Sequence, residues 1–166
     1  MKRLLAVASL LALTGCAAFD PTAALRAAAK DLKFSLDKVS PRLELAYPLD
    51  QSRLVLDMDL GVQNGSKEHL RTRAVGGSLN LATGGASHGL GVVAFPEGMD
   101  IAANGRSVLH AQVGLSYAQV KQAWGPIKAA ALEHQAATWS LDGTAHLDVL
   151  GFDVAVPFKT SKGTGG

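Results

Sequence analysis

Gly85-Ala86-Ser87-His88-Gly89 spells out a nucleophile pattern, G-x-S-x-G, with a histidine beside the serine. That pattern does chemistry when a strand runs into the serine and a helix leaves it, lifting the hydroxyl above an α/β sheet. Here GLGVVAF follows and reads as a strand, and a histidine adjacent in sequence points away from its neighbour. The stretch therefore reads as a glycine-rich turn. The five histidines, His69, His88, His110, His134 and His146, have no zinc-site spacing, and the single cysteine, Cys16, cannot complete a cluster. His110 and His146 fall on the expected wet faces of two strands, where they act together only if those faces meet. Asp57 and Asp59 stand two apart on one strand, and Asp148 and Asp153 flank a turn. Paired carboxylates serve acid–base catalysis when buried; on an exposed strand they keep a sheet soluble and blunt edge pairing. The sequence offers no phosphate loop, metal cluster or nucleophile with a partner. It predicts no catalytic, cofactor-binding or metal-ligating residue and no enzyme, with Ser87 the only nominal nucleophile.

Cys16 poses a different question, because a lone thiol closes no internal disulfide. It ends the stretch MKRLLAVASLLALTGC, in which Lys2 and Arg3 precede an apolar run from Leu4 to Leu13 and the small residues Thr14 and Gly15. That is the three-part layout of a secretory signal, and the run is far short of the ~20 apolar residues needed to span a bilayer. Leu13-Thr14-Gly15-Cys16 resembles the lipobox of bacterial lipoproteins. The resemblance implies cleavage before Cys16, diacylglycerol on its sulfur and a palmitate-type chain on its new amine. Ala17 stands where an inner-membrane retention signal carries Asp. That implies lipid anchoring in the outer membrane, facing the periplasm.

Lys2 and Arg3 also carry the whole formal charge of +2, so residues 16–166 are formally neutral. A neutral chain without basic blocks has no electrostatic footprint for nucleic acid. The domain reading is a signal peptide over 1–15, a lipidated tether over 16–33, one folded domain over 34–163 and a short tail over 164–166. Asp20-Pro21 followed by TAALRAAAKDLK fits either an N-capped short helix or a disordered tether.

From Phe34 onward the dominant period is two. Leu54, Leu56, Met58, Leu60 and Val62 alternate with Arg53, Asp57, Asp59 and Gly61. The runs SVLHAQVGLS, WSLDGTAHLDV and FDVAVPF alternate in the same way, each with one wet and one dry face. LKFSLDKV, PRLELAY, RAVGGSLNLA and GLGVVAF are further strand candidates. Turn signals sit at Asn64-Gly65, Gly76-Gly77, Gly84-Gly85, Asn104-Gly105 and Leu150-Gly151. Seven or eight strands with one dry face each predict an all-β, immunoglobulin or fibronectin III-like antiparallel sandwich. One helix is predicted near 117–134, with a capping box from Ser116 and Gln119 and a kink or split at Gly125-Pro126. Trp124 is expected to plug an open end of the sandwich.

The order LVLDMDLGVQNGSKEHLRTRAVGGSLNLATGGASHG resembles the WHy (water stress and hypersensitive response) domain of the LEA type 2 group. A strand, an Asn-containing turn, a strand with small inner residues and a glycine-rich turn follow one another. Phe95-Pro96-Glu97-Gly98, the run Asn104 to Leu109, Trp139-Ser140-Leu141-Asp142-Gly143 and Val156-Pro157-Phe158 continue the resemblance. Asn64-Gly65 departs from it, since the group carries Asn-Pro there. The resemblance covers Phe34 to Gly163. It implies a folded, non-catalytic sandwich with a role in desiccation or other stress, protecting or binding proteins or membranes weakly. The alternative is a lipid-handling or envelope-assembly module, with an acyl chain between the sheets, the helix as gate, and room left by Gly76, Gly77, Gly89 and Gly91. Partners beyond the Cys16 anchor, and the oligomeric state, have no signature in the sequence.

Overall fold

In the computed structural model, residues 21–149 and 151–164 are described. They form a helix α1 (Pro21–Lys30) and strands β1 (Leu32–Glu44), β2 (Arg53–Asn64), β3 (Leu70–Thr83), β4 (Ala86–Phe95), β5 (Asp100–Ile101) and β6 (Arg106–Ser116). The helices α2 (Tyr117–Val120) and α3 (Trp124–Leu132) follow, then β7 (Ala137–Val149) and β8 (Phe152–Thr164). Sheet A has the order β1-β2-β6; sheet B has the order β4-β3-β7-β8, with β5 also pairing β3. Every ladder is antiparallel. The architecture is the predicted all-β sandwich with one helical crossing.

The period of two drives this arrangement. Leu54, Leu56, Met58 and Leu60 from sheet A meet Leu79, Leu81, Trp139 and Leu141 from sheet B, and all eight are essentially inaccessible. Burying one such side chain is worth about 1.5–3 kcal/mol, so a pair of dry faces is enough to hold two sheets together. The interior is packed with leucines rather than open. Gly76 and Gly77 are not a turn but the middle of β3, opposite Thr144 and Gly143. A Cβ at Gly77 would stand 2.5 Å from the carbonyl oxygen of Asp142. The space these glycines free is therefore filled by the neighbouring backbone and offers no room to a ligand.

Several local features differ from the sequence expectation. LKFSLDKV and the first four residues of PRLELAY form one strand, because a register shift between Leu36 and Lys38 lets β1 bend and continue. Pro41 is tolerated since β1 is an edge strand of sheet A. Pro157 lies in β8, the edge strand of sheet B, opposite Thr144. The two edges are stitched by a hydrogen bond from Leu36 N to Thr160 Oγ1 (2.9 Å) and by stacking of Phe34 on Phe158 at 4.3 Å. Gly84 and Gly85 both have positive φ, 54° and 85°, the geometry of a two-residue hairpin between β3 and β4.

The crossing helix is capped as predicted, with Gln119 Oε1 accepting from Ser116 N (2.8 Å) and Oγ (2.9 Å). It does split, but at a 3-10 turn over Lys121–Ala123. Pro126 sits in the first turn of α3, where no intrahelical donor is lost. Trp124 is half-buried and packs edge-on against Tyr117 (ring centroids 5.0 Å) beside the main core. The tryptophan at the centre is Trp139, whose Nε1 donates to Thr164 Oγ1 (3.1 Å). Ala28 and Ala29 of α1 are buried in a second cluster with Leu32, Val62, Leu70, Ile101 and Leu147. The packed body thus begins before Phe34. Asp20, the expected N-cap, and Cys16 lie outside the described residues.

Candidate functional site

Polar chemistry concentrates on the outer face of sheet A, because β2 and β6 turn every second residue outward. Asp59 stands opposite His110, and Asp57 opposite Gln112. His110 Nδ1 lies 2.7 Å from Asp59 Oδ1, and Gln112 donates to Asp57 Oδ1 at 2.7 Å. Lys38 pairs in register with Asp59 from the other side and joins a shallow hollow lined by Asp57, Asp59, His110 and Gln112. Toward the open side of the sandwich, a second hollow runs from Phe95 at the end of β4, with Pro96 and Glu97 just after it, to His110 and Gln112. His110 remains three-quarters exposed. A His–Asp pair in contact with water is a hydrogen-bonding recognition element rather than a shielded base.

At the end of the same sheet, Ser35 and Asp37 of β1 meet Arg106 of β6 above Gly61. A Cβ at Gly61 would fall on the ends of the Asp37, Arg106 and Ser35 side chains, so a larger residue there would displace this cluster. The Arg106 guanidinium beside Asp37 holds its carboxyl below the usual range, helped by the Ser35 hydroxyl and against partial burial. On sheet B, Arg73 donates twice to Asp148 Oδ2 (3.1 and 2.8 Å), and Gly151 N donates to Asp148 Oδ1 (3.0 Å). Those bonds likewise depress the Asp148 carboxyl. A depressed carboxylate contributes stability that is complete above its unfolded pKa, near 3.9, and lost as pH falls through the folded value. Urea melts should therefore weaken below about pH 4. The double variant Asp37→Asn with Asp148→Asn should be less stable than wild type at pH 7, lose part of that acid slope, and approach wild type in acid.

The sequence candidates are not brought together. His146 pairs with Asp153 (2.8 Å) on the outer face of sheet B, with the whole sandwich between it and His110. Ser87 is the second residue of β4, opposite Ala82, directly after the Gly84-Gly85 hairpin. It is at no strand-to-helix bend. Among the described residues no group of three metal-binding side chains occurs.

The residue that sequence reasoning undervalued is Asn64. It is wholly buried, donates from Nδ2 to the carbonyls of Glu68 (2.7 Å) and Ala102 (3.1 Å), and accepts at Oδ1 from Ser66 N (2.9 Å) and Oγ (2.7 Å). Its backbone N donates to Gly105 O (2.9 Å), and Asn104 N donates to Ser66 O (2.8 Å). The two turn dipeptides thus bind each other. A signal was present: Asn64 continues the inward series Leu54, Leu56, Met58, Leu60, Val62, so its amide had to be buried and satisfied.

No protein-family model matches the chain, and no curated protein matches its sequence. Solved structures share its general chain course. One is a protein from Archaeoglobus fulgidus (8% identity, 79% of this chain and 97% of that chain, TM-score 0.45). Another is a protein from Arabidopsis thaliana (14% identity, 78% of each chain, TM-score 0.48). A third is a candidate late embryogenesis abundant (LEA) protein (14% identity, 80% of this chain and 69% of that chain, TM-score 0.44). The fold described above rests on the chain's own ladders, not on these likenesses.

Proposed function

We propose that this chain is a non-catalytic, lipid-anchored periplasmic sandwich of the outer membrane, acting as a protective or binding module of the LEA type 2 kind. The observation that carries the anchor is the single cysteine at the end of Leu13-Thr14-Gly15-Cys16, directly after a charged and apolar leader. Several acyl chains on that residue suffice for stable attachment, where one gives marginal binding. The stress role is supported by the WHy-like order of strands and turns. A non-catalytic role is supported by the solvent-exposed setting of the His–Asp pairs and by Ser87 on a strand. The leucine-filled interior favours a module that works through its outer faces over one that stores an acyl chain between the sheets.

Replacing Cys16 by Ser and fractionating cells tests the anchor. The wild-type protein is expected in the outer-membrane fraction and the variant in the soluble one; a variant still in the membrane ends the reading. Drying a labile reporter enzyme with and without the protein tests protection. Equal loss of reporter activity in both would remove the stress role.

A further inference from the structure

We propose that the trough between α1 and the edge of β8 is a docking surface for an anionic phospholipid bilayer. Its floor is apolar, made by Ala29 of α1 and Val154, Val156 and Pro157 of β8, and its rim carries Arg26 and Lys30. Arg42, Arg53, Arg71, Arg73 and Arg106 each have a carboxylate within ion-pair distance, whereas among the described residues Arg26 and Lys30 have none. Asp153, on the same strand, is taken up by His146. Phe152, at the start of that strand, leaves about two-thirds of its surface in water.

The helical wall of the trough is packed onto the body. Ala28 and Ala29 fix α1 in the second core cluster, and Asp31 ties its end to the body, donating to Ala28 O (3.0 Å) and accepting from Gly65 N (3.2 Å). Cations beside a preformed apolar floor match phosphate headgroups above acyl chains. This surface stands on the element that follows Cys16 most closely in sequence, Pro21 being five residues further on. The inference therefore extends the anchor reading: the lipid holds the chain at the leaflet, and the trough sets the side that faces it. Contact of this size is weak alone and is strengthened by the high local concentration that a tether provides.

The test uses full-length protein with Cys16→Ser, so that no acyl chain contributes, and Ala155→Cys carrying an environment-sensitive fluorophore on what is then the only thiol. Vesicles of phosphatidylcholine, alone or mixed with phosphatidylglycerol, are titrated in. A blue shift with phosphatidylglycerol that fades with salt is expected. Arg26→Ala with Lys30→Ala should weaken partitioning roughly 25-fold, about fivefold per cation. No shift with phosphatidylglycerol, or equal partitioning of the double variant, overturns the proposal. Flotation of unsubstituted protein on neutral vesicles reads the anchor separately, so either idea can fail without the other.

Discussion

Gly143→Val is expected to lower stability by about 3 kcal/mol or more, the upper range for forcing atoms into a filled site, and the melting temperature by roughly 10 °C. Gly143 and Gly77 face each other across the central β3–β7 ladder, in the parity of the inward residues. A Cβ at Gly143 would sit 2.2 Å from Gly76 O and 3.0 Å from the Gly77 Cα. Those atoms are backbone, so no rotamer change relieves the clash; the strands must part and lose ladder hydrogen bonds. Gly114→Ala supplies the comparison. It lies in β6 with nothing within 4 Å of its added Cβ, and should change stability by no more than about 0.5 kcal/mol. Thermal melts of both variants decide the matter. Equal melting would mean that the two central strands can yield where their backbones touch.

Asn64→Ala is the second large effect, expected near 3 kcal/mol. The change removes the partner of the Ser66 amide and hydroxyl, in buried bonds, and of the Glu68 and Ala102 carbonyls, in part-buried ones, and a buried polar group so stranded costs about 1–3 kcal/mol. Relaxation of the loops keeps the total below the sum. Asn64→Asp separates the two halves of the network: it retains an acceptor for Ser66 but sets a second oxygen against two carbonyls. That variant should be strongly destabilised at neutral pH and recover partly in acid, where a protonated carboxyl can donate again. Urea denaturation across pH reads both outcomes. A variant as stable as wild type at pH 7 would remove the network's role in joining the loops 65–69 and 102–105.

The sandwich was legible wherever a strand buries one face cleanly. β2, β6, β7 and β8 could be drawn from Leu54–Val62, Leu109–Leu115, Trp139–Val149 and Phe152–Phe158 because their alternation records a dry side and a wet side. It was less legible where backbone geometry overrides that pattern. The bend at Asp37 fused two candidate strands into β1, and the Gly76-Gly77 pair signals close backbone approach with the same letters that signal a turn. Trp124 and Trp139 are alike in composition, but only the ladder position of Trp139 places it between the sheets. The polar face of sheet A was half visible: Asp57, Asp59 and His110 could be put on outward positions, but their pairing depends on the β2–β6 register, which is not written in either strand alone. Likewise, His110 and His146 share a wet-face parity, and it is the strand order that sends them to opposite sides. The trough beside α1 was hidden because it depends on a helix-to-strand contact between residues far apart in the chain.

Pro41 and Pro157 have a consequence for crowding. Both lie on the flank where β1 and β8 border each other, and a strand arriving from another molecule would find, at those points, a ring instead of an amide hydrogen. Copies massed shoulder to shoulder along that flank therefore meet an interruption in each edge ladder. The fold carries its own insulation against assembly from that side.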